Sequence, residues 1–251
     1  MSRTFDNNAR ATLNESIYRQ DSTFKLSYFK FHGLAGSARL ILATSGAKWE
    51  SIFPEAGLYY HPCLDWANVE KKDTLFGCLP VLYETTSAGQ KIEVPETDAI
   101  EHYLAKKFKL YGDDDFDEIK VRAFANSVQS LMTFLLLRVL TVSDTEYKAK
   151  MMERFQTETL PPFIGIHERH LEANGRNGHY VGNKLSLADI KLAVALELVV
   201  SATGDKFVSK EATPALWAVW ETVNAIPSYV EWKKTESFAE LEEGSKGLFG
   251  K

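Results

Sequence analysis

"FGCLPVLYETTSAGQKIEVPETDAIEHYLAKK", Phe76 to Lys107, decides the fold. Two short runs, "CLPVLYE" and "KIEV", flank "TTSAGQ", in which Gly89 supplies the turn, so the segment predicts a β-hairpin. Glu96–Lys107 follows as an amphipathic helix with Ala99, Ile100, Tyr103 and Leu104 on one face. Pro80 pushes the residue before it into extended backbone.

Working outward toward the N-terminus, Phe24–Phe31 reads as a first strand and Ser37–Ser45 as a helix closed by Gly46. Lys48–Phe53 reads as a second strand ended by Pro54. Glu55–Cys63 is expected as a loop, followed by a short irregular helical piece around Trp66–Lys72. The order is therefore β-α-β-α-β-β-α. Toward the C-terminus, after "YGDDDFDE", apolar residues recur at helical spacing through Val121, Phe124, Val128, Leu131 and Leu135. The acids Asp113–Asp115 read as a solvated linker and helix start. "KLSLADIKLAVALELVV" opens on Ser186-x-x-Asp189, close to a capping box, and its apolar residues cover nearly the whole helix circumference. Pro214 and Pro227 start two last helices. The expected architecture is an α/β unit over residues 24–110 followed by an all-helical one over 111–251. Residues 1–23, polar and with little apolar periodicity, are expected to be a mobile extension, or alternatively a transit peptide, against which Asp6, Glu15 and Asp21 count.

The 251 residues carry a net charge of -5 and no basic block, which argues against nucleic acid as a partner. No apolar run approaches the ~20 residues that a membrane span needs. Cys63 and Cys78 form neither a CxxC pair nor a disulfide framework, which suits a reducing, cytoplasmic compartment and leaves no thioredoxin-like reductase chemistry.

In "KLSYFKFHGLAGSAR" a tyrosine, Tyr28, stands where strand gives way to loop. Tyr is a good strand former, so core packing competes with a hydroxyl aimed into a cleft. Together with "FGCLPVLYE", "PETDAIEHYLAKK", "YVGNKLSLADI" and "PALWAVWETVNAIPSYVEWKK", this stretch resembles the soluble glutathione transferases, in particular the tyrosine-type, sigma-like branch. The resemblance spans Lys25 to Lys234. It implies a thioredoxin-like domain followed by a helical one, a homodimer, glutathione as co-substrate without a metal, and a small hydrophobic electrophile as second substrate, in the service of detoxification.

The resemblance also assigns roles. A cis peptide before Pro80 would turn the Leu79 backbone outward, where the cysteinyl part of glutathione could pair like an added strand; a proline that merely opens a strand is the plain alternative. At the start of the last helix of the first unit, Glu96 and Thr97 would meet the γ-glutamyl end, Thr97 through its hydroxyl and the free N–H groups, Glu96 through the ammonium. Simple capping by Thr97 uses the same geometry. Trp66 and Lys71, rather than Lys72, would meet the glycine carboxylate, although the lysines also fit a solvated helix face. Phe29 would join the glutathione site, and Phe29, Leu34, Met132, Phe134 and Arg138 the electrophile pocket, where an aromatic or Met at helical spacing equally suits a core.

Tyr28 would be the catalytic residue. A thiol of pKa about 8.5 is only a few per cent ionised at pH 7. A phenol donating a hydrogen bond to the thiolate contributes roughly 1.5–3 kcal/mol, enough to lower the thiol pKa by about one to two units. The activated sulfur would then conjugate the electrophile, isomerise a bound substrate or reduce a peroxide. Leu34 departs from the pattern, standing where sigma-like members commonly carry an arginine. Arg39 is expected to pack or pair structurally, and Cys78 to fill apolar space. The same fold also admits a non-catalytic binder or structural protein.

Overall fold

The computed structural model describes residues 21–54 and 70–246. Four strands form one mixed sheet: β1 (Thr23–Ser27), β2 (Lys48–Ile52), β3 (Val81–Thr85) and β4 (Lys91–Pro95), in the order β2-β1-β3-β4. β1 runs parallel to β2 and antiparallel to β3, and β3 antiparallel to β4. The crossover from β1 to β2 contains α1 (Gly36–Ser45), which ends on Gly46 at φ 71°, the left-handed value that glycine adopts without strain. Gly89 takes φ 78° in the β3–β4 turn, donating its N–H to the Thr86 carbonyl at 2.9 Å. α2 (Thr97–Lys107) follows β4 directly.

The expected first strand is shorter than its apolar run. Ladder pairing stops at Ser27, and Tyr28 begins the loop after donating its N–H to the Ile52 carbonyl at 3.1 Å. Of the helical piece expected around Trp66–Lys72, the described part is a 3₁₀ turn, Glu70–Asp73. Trp66 and Cys63, the loop Glu55–Cys63 and the extension up to residue 20 lie outside the described residues.

Leu26 and Leu82 on the sheet and Ile100 and Leu104 on α2 are fully buried. Each contributes about 1.5–3 kcal/mol relative to exposure. The same unit buries an ion pair: Lys107 Nζ lies 2.9 Å from Glu84 Oε1, both side chains inaccessible, and the Tyr103 hydroxyl donates to Glu84 Oε2. Such a pair persists because its lone pairs are met by further hydrogen bonds.

The remaining helices are α3 (Asp115–Phe134), α4 (Thr145–Arg154), α5 (Leu160–Ala173), α6 (Leu187–Thr203), α7 (Pro214–Asn224), α8 (Pro227–Trp232) and α9 (Glu236–Lys246). Wide π turns continue α3 over Leu135–Leu140 and join α4 to α5 over Phe155–Thr159. Asp114 caps α3 by accepting the Asp117 N–H at 2.8 Å. Together with its π turns, α3 spans Asp115–Leu140 and is the one helix among the described residues long and apolar enough to cross a membrane by length and composition. Its Val121, Ala125, Val128, Leu131 and Met132 are buried, and α3 packs on α6. The expected capping box is present: the Ser186 side chain accepts the Asp189 N–H, while Asp189 accepts the Ser186 N–H at 2.9 Å.

The described residues divide into two compact units, one drawn from 21–108 and 227–246, the other from 109–226. α8, read from Pro227, and α9, which the sequence reading did not separate out, lie in the stretch read as the helical half but pack with the first unit: Ser228 Oγ donates to the Thr44 carbonyl at 3.2 Å, and the Trp49 and Trp232 rings lie 5.2 Å apart. A proline at a helix start does not say against which surface the helix lies.

Candidate active site

The sheet register gathers the expected site residues. Ser27 pairs with both Ile52 and Val81, and Val81 with Pro95, so one row of the sheet ends three strands together. Tyr28 follows Ser27, Leu79 and Pro80 precede Val81, and Glu96 and Thr97 follow Pro95. Residues separated by up to about 70 positions in the chain therefore flank one edge of the sheet, at the N-terminus of α2. The Leu79–Pro80 peptide is cis.

Tyr28 is buried, at 4 % exposure, and its hydroxyl accepts the Leu34 N–H at 3.2 Å. Its ring meets Phe29 and Phe31 edge to face at 5.3 and 5.4 Å. The ring packs, as the core reading expects, and the hydroxyl oxygen is held by the Leu34 N–H. Gly33 sits at φ +42°, and a Cβ there would come within 2.9 Å of the Tyr28 hydroxyl and 2.5 Å of the Phe31 ring. Only glycine fits.

Arg39, on α1, has no exposed surface. It donates to the Phe31 carbonyl at 2.7 Å and the Phe29 carbonyl at 3.2 Å, and its guanidinium lies over the Tyr28 and Phe53 rings at 5.7 and 5.9 Å. Burial lowers its pKa to about 9, partly offset by its interaction with Tyr28. The sequence marked Arg39 as structural; its grip on the loop beside Tyr28 depends on backbone carbonyls, which no residue pattern displays. The Leu34 N–H was missed for the same reason.

Glu96 has φ 70° and ψ 131°, an uncommon backbone for a non-glycine residue and of the kind that clusters at ligand sites. It is the residue that precedes α2, so Thr97 is not the cap. The Glu96 side chain makes no capping bond and instead accepts the Cys78 thiol proton at 3.0 Å. Thr97 is half-buried in the first turn. Desolvation, then the bond to Glu96, raises the Cys78 thiol to about 11, which keeps it protonated and unreactive at neutral pH. Lys71 is exposed, and its stem passes Gly77: a Cβ on Gly77 would lie 3.3 Å from Lys71 Cγ and Cε. The lysine preferred by sequence thus stands beside the Gly77–Pro80 turn.

The residues read as an electrophile pocket divide between the units. Phe29 and Leu34 are half-buried in the first. In the second, Met132 is 3 % exposed and belongs to the core of α3, Phe134 stacks on Phe155 at 6.0 Å, and Arg138 is exposed. Among the described residues no group of His, Cys, Asp or Glu could hold a metal ion.

A family profile described as "Glutathione S-transferase, C-terminal domain" matches residues 134–236. Glutathione S-transferase alpha-4 of Rattus norvegicus is 32 % identical over 179 residues, covering 70 % of this chain and 73 % of the relative. The chain belongs to the glutathione S-transferase family. S-crystallin SL11 of Nototodarus sloanii is 28 % identical over 178 residues, covering 70 % of this chain and 79 % of the relative. A sigma-class glutathione S-transferase from Fasciola hepatica shares the fold at TM-score 0.71 and 22 % identity, covering 87 % of this chain and all of that one. Within this glutathione S-transferase fold, the thioredoxin-like sheet carries the tyrosine, the cis-proline turn and the helix N-terminus on one edge.

Proposed function

We propose that the chain activates the thiol of glutathione as a thiolate for attack on a small hydrophobic electrophile, with Tyr28 as the catalytic residue. The observation that carries this is the Leu34 N–H donating to the Tyr28 oxygen. That N–H polarises the phenol O–H and makes it a better donor. A donor held in place before the sulfur charge forms stabilises the ionised state without reorganising. The thiol proton passes to solvent water, the sulfur lone pair then forms the C–S bond, and the leaving group departs with its electrons.

Around that centre, Leu79 offers backbone groups to the cysteinyl part of the peptide. Thr97 and the uncapped α2 N-terminus offer donors to the γ-glutamyl carboxylate, Glu96 an acid to its ammonium, and Lys71 a cation to the glycine carboxylate. Trp66 and Phe29 complete this assignment, and Phe29 and Leu34 are the first unit's part of the electrophile side; Met132 belongs to the core of α3 and is withdrawn from it. We place the protein in the cytoplasm as a homodimer engaged in detoxification, without metal, nucleic acid or membrane partners; light scattering tests the dimer.

A second reading, a non-catalytic ligand binder or structural protein, is favoured by Leu34 in place of the usual arginine and by a relative named as a crystallin. One experiment separates the two: retention on immobilised glutathione, then conjugation of a nitroaromatic acceptor by wild type and Tyr28→Phe. The variant is expected to bind as wild type and to turn over about ten-fold slower or worse. Equal turnover removes Tyr28 from catalysis; absent retention removes glutathione.

A further inference from the structure

We infer that Gly244 and Ser245, on the last described helix, are positioning residues that hold the 29–34 loop so that the Leu34 N–H meets the Tyr28 hydroxyl. This rests on the proposed role of Tyr28 and adds a distant part of the chain to it.

The helix in question, α9, touches the loop backbone directly. Gly244 faces the Lys30 carbonyl, and a Cβ at this position would collide with the Lys30 oxygen and lie 2.9 Å from its carbonyl carbon. One residue on, Ser245 Oγ accepts the His32 N–H at 3.2 Å while donating to the Leu241 carbonyl at 2.8 Å. An ion pair and a hydrogen bond flank this seam, Lys30 with Glu240 at 2.9 Å and His32 Nε2 with Glu242 Oε1 at 3.0 Å. Beneath it, Leu241 is fully buried and Phe238 packs on Trp232 and His32 at 4.9 and 5.5 Å.

On the opposite side, Arg39 holds the carbonyls of Phe29 and Phe31. The loop from Phe29 to His32 is therefore gripped from within by a guanidinium and from without by a helix. Leu34 lies two residues beyond His32, across Gly33, whose positive φ leaves little slack. A shift of the loop backbone at Lys30–His32 is transmitted through that turn to the donor on Tyr28. The exposed Lys30–Glu240 ion pair is screened by salt and weak. Steric contact at Gly244 and the Ser245 bond are not, so those two residues carry the positioning.

The test uses the full chain, with Gly244→Ala and Ser245→Ala each made in the wild-type and Tyr28→Phe backgrounds. Alanine is a better helix former than glycine, so Gly244→Ala does not weaken α9 itself. In the Tyr28 background each variant is expected to lower kcat about five-fold, with KM for glutathione within about two-fold and the acid limb of the kcat/KM profile moved to higher pH. In the Tyr28→Phe background the same substitutions are expected to change kcat by less than about two-fold, because the group they position is gone. Equal losses in both backgrounds, or no loss in the first, overturn the inference. Should Gly244→Ala fail to fold, Ser245→Ala, which deletes the acceptor of the His32 N–H and a donor to a Leu241 carbonyl within the same helix, adds no atom to the seam and decides by the same comparison. Full turnover by Tyr28→Phe alone would instead overturn the catalytic reading of Tyr28.

Discussion

The Arg39 guanidinium lies 5.7 Å from the centre of the Tyr28 ring while bonding the carbonyls of both Phe29 and Phe31. A cation with no exposed surface, its pKa lowered to about 9 by desolvation, is expensive to keep. What it offsets is a loop whose carbonyls would otherwise be buried without donors.

This opposition makes the ranking of two substitutions at Arg39 informative. Arg39→Lys keeps a charge to be desolvated but loses the planar fork that reaches two carbonyls, and is expected to destabilise by about 3 kcal/mol. Arg39→Met removes charge and bonds together, so the relief of desolvation partly cancels the orphaned carbonyls, and about 1–2 kcal/mol is expected. Urea midpoints of the two variants measure this; a lysine variant as stable as wild type would show that the fork is dispensable. Both should lose turnover, since both release the Leu34 donor.

Side-chain pattern made the scaffold legible. Two short runs on either side of Gly89 gave the hairpin, Gly46 the end of α1, and Ser186 with Asp189 the capping box. Three of the proposed site's positions, Tyr28, Leu79–Pro80 and Glu96–Thr97, were reached through the family resemblance; residue type by itself marked only a strand end, a proline and a helix start. Main-chain contacts were not visible. The Leu34 N–H, the carbonyls held by Arg39 and the Lys30 carbonyl against Gly244 carry no residue signature. Nor could helical period reveal that α8 and α9 pack with the first unit, because it identifies an apolar face without identifying its counterpart.

Cys78 should be chemically quiet although it neighbours the cis-proline turn. With its pKa raised to about 11, only about one thiol in a thousand is ionised at pH 8, against roughly one in four for a free cysteine. Alkylation followed by peptide mapping should therefore find Cys78 about a hundred-fold slower than a small free thiol. Glu96→Gln removes the negative charge and leaves only a weaker, neutral acceptor, reducing two of the causes of the shift, and should accelerate the reaction about ten-fold. Alkylation at the free-thiol rate in the wild type would contradict the Sγ–Oε1 contact.

His167 makes the second unit sensitive to acid. Its ring is 1 % exposed and stacks on Phe163 at 3.9 Å; Nε2 meets Ser127 Oγ at 2.9 Å and Nδ1 meets the Tyr180 hydroxyl, whose own ionisation burial pushes well up. Desolvation first, then the nearby His170, lowers the His167 pKa to about 4 from 6.5. Between those values the unfolded chain binds a proton that the folded chain does not, so stability is full above pH 6.5 and falls as the pH drops toward 4. At pH 5 the loss from this one group is about 2 kcal/mol. His32 in the first unit, also lowered by burial, contributes in the same direction, so the informative quantity is a difference. Urea unfolding at pH 7.5 and pH 5 should show a smaller drop for His167→Asn than for wild type by about that amount. An identical drop in both would mean that the imidazole takes its proton within the fold, and that the Ser127 and Tyr180 contacts do not hold it neutral.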